Sequence, residues 1–202
     1  MRRALLTFMF VASAAAVAFF AFFKLAANGF SAREKPTAIE RFAARAARSF
    51  AIPGSAKSML NPAPNTPETL ADARVHWADH CAGCHANNGS GDSEMGPNMY
   101  PPAPDMRKSE TQNLTDGEIF FVIENGIRLT GMPGWGGSAK AAEDSWKLVR
   151  FIRHLPQMSA EEEREMRKMN PRTPAELREE QEEEEFLKGN DSHATQKSHS
   201  HH

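Results

Sequence analysis

The sequence is poor in cysteine, with only Cys81 and Cys84 in 202 residues. Two cysteines three positions apart cannot staple a small domain, so a disulfide scaffold is excluded. It is poor in net charge as well: 24 Lys and Arg stand against 26 Asp and Glu, for a net −2. The balance hides an asymmetry. Residues 1–60 carry +7, residues 61–156 carry −4 and residues 157–202 carry −5. The basic third is too hydrophobic, and its arginines too helically spaced, for a nucleic-acid arm. Long uncharged runs are absent after Phe23. Proline and glycine are not scarce. There are thirteen of each, mostly between residues 53 and 137, which excludes a helical bundle or coiled coil there.

What is there begins with Met1-Arg2-Arg3 and twenty uncharged residues, Ala4 to Phe23. As a helix this run is about 30 Å long, enough to cross the hydrocarbon core. A secretory leader is shorter, about 7–15 apolar residues. Cleavage after Ala14-Ala15-Ala16 is the alternative, but it leaves the Val17 to Phe23 cluster exposed on the mature chain. The reading taken is an uncleaved signal anchor. Charge alone does not orient it, because Lys24, Arg33 and Lys35 follow Arg2 and Arg3 on the other side.

Thr37-Ala38-Ile39-Glu40 is a capping box that opens a helix. Ile39, Phe42, Ala43, Ala46 and Phe50 share one face, and Arg41, Arg45 and Arg48 another, until Pro53 stops it. Such a helix either lies on a bilayer surface or packs on a soluble domain. Ser55 to Pro67 reads as a linker. The boundaries that follow are 1–24 anchor, 25–65 basic amphipathic helix and linker, 66–156 central domain, 157–190 acidic helical extension and 191–202 His-rich tail.

Cys81-Ala82-Gly83-Cys84-His85 carries the chemistry. Cys-x-x-Cys-His is the attachment signature of c-type haem. Thiols one helical turn apart can add to the two vinyl groups of one porphyrin, and the adjacent His then sits under the iron. A thioredoxin-like pair needs a βαβ context that is missing, and zinc needs two further ligands. Around the motif, Thr66 caps a helix with Pro67 at its first position and an apolar stripe of Leu70, Ala73 and Trp77. Thr115-Asp116-Gly117-Glu118 opens a second helix that ends near Gly126. Ser145 to Leu155 forms a third, stopped by Pro156. Met95, Met99, Met106 and Met132 are the methionines available as a sixth iron ligand. Met132, in Gly131-Met132-Pro133, is far enough along the chain to reach the opposite face and is the candidate. Met106 is the second choice.

Residues 66–156 resemble a class I c-type cytochrome, in particular the single-haem, membrane-anchored bacterial type. The resemblance rests on the Cys81–His85 motif, on Gly131-Met132-Pro133 and on the aromatic helix beginning at Trp146. It implies an all-α fold in which the first and last helices cross near one covalent haem c, held by Cys81 and Cys84. It implies His85 and Met132 as axial ligands. Gly96-Pro97-Asn98-Met99 resembles a Gly-Pro-Asn-Leu stretch of the family, which points to the Pro97 carbonyl as acceptor for the His85 ring proton. Arg128, Trp135 and Tyr100 are candidates to meet the haem propionates.

Two capping boxes, Ser159-Ala160-Glu161-Glu162 and Thr173-Pro174-Ala175-Glu176, open charged helices in the extension. Met166, Leu177, Phe186 and Leu187 are its candidate contacts with the domain. His193, His199, His201 and His202 form a tail suited to weak transition-metal binding. The expected function is one-electron transfer rather than enzymatic catalysis, on the outer face of a bacterial cytoplasmic membrane with the haem domain in the periplasm. The partners expected are redox proteins of a respiratory or dehydrogenase chain and membrane lipid, not nucleic acid. The alternatives are a haem enzyme or gas sensor with a displaceable Met ligand, and a metal-handling protein that uses the His tail.

Overall fold

A computed structural model describes residues 2–27, 31–172 and 174–187; the His-rich tail and Thr173 of the last capping box lie outside them. The described residues are helical, with no strand. Helix α1, Arg2–Ala27, is long and apolar enough to cross a membrane and buries none of its surface in the protein. Helix α2, Ala38–Ala51, starts at Thr37 with both hydrogen bonds of its capping box formed.

The central domain is built on two helices. Helix α4, Pro67–His80, is capped by Thr66 with Pro67 in its first turn. Helix α8, Ala139–His154, runs six residues further back than its apolar stripe. The Ser138 hydroxyl accepts from Ala141 N, and the alanine-rich first turn carries the helix from there into the stripe. The two helices meet through Trp77 and Phe151, ring centroids 5.3 Å apart, both essentially inaccessible to water. Ala73, Ala78, Val149 and Ile152 fill the rest of that contact. Helix α7, Asp116–Asn125, packs its Ile119 and Ile123 into the same core and stacks Phe120 on Trp146 at 4.0 Å. Arg153 ties α8 to the start of α7 through Asp116 at 2.8 Å and the carbonyls of Gln112 and Leu114. Residues 86–108 form the expected loop, interrupted by a 3-10 turn at Gly96–Asn98.

Two stretches differ from their reading as appendages. Ser55 to Pro67 reads as a linker, yet residues 52–63 pack on the domain. Ile52 and Ala56 are buried, the latter in the one-turn helix α3, Gly54–Lys57. The Asn61 amide donates to Trp146 O, and Arg150 donates to the carbonyls of Ala63 and Asn61. Prolines stiffen this segment without freeing it, and no periodic pattern betrays the contact. At the other end, α9, Ala160–Arg167, buries Met166 completely and pairs Glu162 with Arg74 at 2.6 Å and His154 at 3.0 Å. Helix α10, Pro174–Leu187, leaves Leu177, Phe186 and Leu187 exposed, so of the four candidate contacts of the extension only Met166 enters the core.

Gly117 tests the docking of residues 52–63. A Cβ there would fall inside the van der Waals surface of Ala56 O and touch Met59. Gly117→Ala is expected to cost about 1–3 kcal/mol in denaturant unfolding of the holoprotein, the range for overpacking. It is also expected to make the chain near residue 56 sensitive to limited proteolysis. No change in either measurement would mean that the contact is not held in solution.

Candidate functional site: a cleft between the cysteine motif and a methionine loop

Helix α4 ends at His80, and Cys81 starts one further turn, α5, Ala82–His85. The turn is held from both sides. His85 N–H donates to Cys81 O at 2.9 Å, and the Trp77 indole donates to Ala86 O at 3.0 Å. The loop that follows is laid directly on the turn. Ser93 Oγ donates to the carbonyls of Gly83 and Cys84, and Gly91 N–H donates to His85 O. Gly96 is needed here, because a Cβ would collide with the carbonyls of both Cys84 and Gly91.

The opposite wall is the segment after α7. Gly126, at φ +66°, lets the chain reverse so closely that a Cβ would meet Gly134 N and Pro133 C at 2.6 Å. Ile127 N–H donates to Met132 O, Trp135 N–H to Ile123 O, and Met132 N–H to Thr130 Oγ1 at 3.1 Å. Met132 is thus carried on a loop pinned to the end of α7.

Between these walls lies an open cleft lined by Cys81, Cys84, His85, Met99 and Met132, with Pro101, Pro102, Pro104, Ile127, Pro133 and Trp135 around them. The lining is overwhelmingly apolar, as cofactor sites generally are. The fold therefore brings Met132 into one cleft with a motif 47 residues before it. It also brings in Met99, whose sulfur rests against Gly131 so closely that a Cβ there would meet it at 2.5 Å. By sequence Met106, not Met99, is the second choice after Met132. Met106 instead packs against the hydrophobic core, with its N–H on Gly89 O, and takes no part in the cleft. Met95 is exposed. The position of Met99 just after the Gly-Pro-Asn turn was the available signal.

The protonation chemistry separates the possible uses of the motif. Burial, with the neighbouring Cys84, pushes the Cys81 thiol up to about 12. A redox-active dithiol needs the opposite, a stabilised thiolate. Burial pulls the His85 imidazole down to about 4, so it is neutral at ordinary pH with a lone pair free to ligate. A zinc site is also disfavoured: among the described residues no group of three or more His, Cys, Asp or Glu is gathered to hold an ion.

His85 Nδ1 is buried without a hydrogen-bond partner. The expected acceptor, the Pro97 carbonyl, does not take this role in the structure. Pro97 sits exposed in the 3-10 turn, outside the cleft lining. Of the propionate candidates, Trp135 lines the cleft and stacks near His80, centroids 5.3 Å apart. Tyr100 instead donates its hydroxyl to Glu40 at 3.1 Å, and Arg128 is exposed away from the lining.

Two thiols one turn apart, a neutral imidazole next to them and thioethers across an apolar cleft are a donor set that fits covalent haem and little else. The family model described as cytochrome C oxidase, cbb3-type, subunit III matches residues 68–152, which span α4 to α8 and contain every residue of this cleft. No curated protein matches the chain. Residues 68–152 are therefore a c-type cytochrome domain, all-helical, which carries haem c covalently and serves haem-based electron transfer.

Proposed function

We propose that the chain is a single-haem electron carrier, anchored by α1 in a bacterial cytoplasmic membrane with residues 24–202 in the periplasm. It passes single electrons between redox proteins of a respiratory or dehydrogenase chain. The observation that carries the reading is the shared cleft of Cys81, Cys84, His85 and Met132. Haem c supplies the one-electron chemistry when bound. Cys81 and Cys84 hold it as thioethers. His85, through its neutral ring, and Met132 are the residues that would ligate its iron. The proline-rich wall and Trp135 exclude water from the apolar edge. No side chain has to act as acid, base or nucleophile, and with His85 and Met132 both as ligands the iron would keep no open position for a substrate. The outer location rests on the apolar helix α1 and on the cytochrome resemblance, in which haem is attached outside the cytoplasm.

Exposure of the reduced protein to carbon monoxide tests this reading. A carrier ligated on both sides is expected to show no change in its absorption spectrum under saturating gas. Rapid formation of a carbonyl adduct by the unaltered protein would replace the carrier with a gas-binding or catalytic haem protein.

A further inference from the structure

Helix α2 is turned inside out. A helix on a globular domain normally packs its apolar stripe inward and leaves its charges in water. Here the apolar stripe faces away from the domain: Ile39 is 81%, Phe42 76% and Phe50 94% exposed. The charged side is the one in contact. Arg45 pairs with Glu110 at 3.4 Å, Glu40 accepts from the Tyr100 hydroxyl, and half-buried Arg48 lies within the field of Glu118. Lys57, at the end of α3, bridges the two, donating to Ser49 O at 2.7 Å and facing Glu118 at 3.9 Å. Two arginines of the basic N-terminal third, Arg45 and Arg48, are thus engaged by carboxylates of the acidic domain. Three large side chains stand outward, and no described residue covers them.

We propose that this outward stripe is seated in the interface of the membrane that α1 crosses, so that α2 lies in the bilayer plane and holds the cytochrome domain on its arginine side. The proposal rests on α1 being a membrane anchor. Continuity selects lipid over other occupants. From Ala27 at the end of α1 to Ala38 at the start of α2 there are eleven residue steps, which cannot exceed about 40 Å even fully extended. The stripe is therefore tethered beside a bilayer at high effective concentration, whereas a soluble partner must be recruited. The mode of binding also follows. Because Arg45 and Arg48 already face Glu110 and Glu118, the contact is insertion of Ile39, Phe42 and Phe50 rather than attraction to anionic headgroups. It is expected to depend little on salt or lipid charge.

The test uses full-length holoprotein in vesicles. With Cys81 and Cys84 consumed by haem, Phe42→Cys, Phe50→Cys or Ala44→Cys each provides a single thiol for a nitroxide. The haem spectrum of each labelled protein is required to match that of the unlabelled one, as the exposure of these positions predicts. Vesicles are made of phosphatidylcholine alone or with phosphatidylglycerol, then carbonate-washed. At positions 42 and 50 the ratio of oxygen to nickel-chelate collisions is expected to be several-fold higher than at 44, in both lipids and at raised salt. Protein lost in the wash would overturn the anchor itself. Protein retained with labels at 42 and 50 as wet as at 44 would overturn only the docking. Protection that requires phosphatidylglycerol and vanishes with salt overturns the apolar mode. Protection that grows with the protein-to-lipid ratio assigns the stripe to a second copy, and protection found only in native membranes assigns it to a partner protein; either overturns the lipid assignment.

Discussion

The double substitution Cys81→Ala, Cys84→Ala is expected to yield a chain from which acid and organic solvent extract all haem, and most of which is lost before purification. The first effect follows from the chemistry, since both thioethers are gone. The second follows from the architecture. The buried core as a whole is small, and one side of it ends at the cleft lined by Ile127, Trp135 and the prolines. Without its cofactor that lining is open to water, and a domain of this size has little apolar burial to spare. Far-UV circular dichroism of whatever is recovered measures it. A stable, monomeric double variant with the helix content of the parent would show that the helices, not the cofactor, organise the domain.

Met132→Ala is expected to keep haem covalently bound while changing its iron. The weak long-wavelength band of a methionine-sulfur bond to ferric iron should disappear, and carbon monoxide should bind the reduced protein. The potential should fall by on the order of 0.1 V, because thioether sulfur favours the ferrous state. The decisive comparison is Met99→Ala, because Met99 is the other thioether in the cleft. It is expected to keep the band, with a stability loss of about 2–5 kcal/mol if its contact with Gly131 is well packed. Loss of the band in Met99→Ala and its retention in Met132→Ala would move the sixth ligand to Met99. Met106→Ala, a core change, should leave the spectrum untouched in either case.

Local chemistry was written in the sequence by itself. The span of α1, the capping boxes at Thr37, Thr115 and Ser159, the Thr66-Pro67 start of α4 and the Cys81–His85 motif depend on neighbours within a turn or two, and each is a pattern of residue types at fixed offsets. The all-helical class followed from the family resemblance that the Cys81–His85 motif carries. Three-dimensional packing decided the rest. That residues 52–63 are docked rather than loose depends on Gly117, 61 positions further along, leaving room for Ala56. Met99 entered the cleft and Met106 the core because the wrap from Gly91 to Pro104 folds onto Cys84, and no periodicity records where such a loop returns. The same fold left His85 Nδ1 without the Pro97 carbonyl. The stripe on α2 was legible as an amphipathic helix, but periodicity states only that a helix has two faces. Which face meets the domain was settled by Glu110 and Glu118, carboxylates more than 60 positions further along the chain, which draw the arginines inward and turn the phenylalanines out.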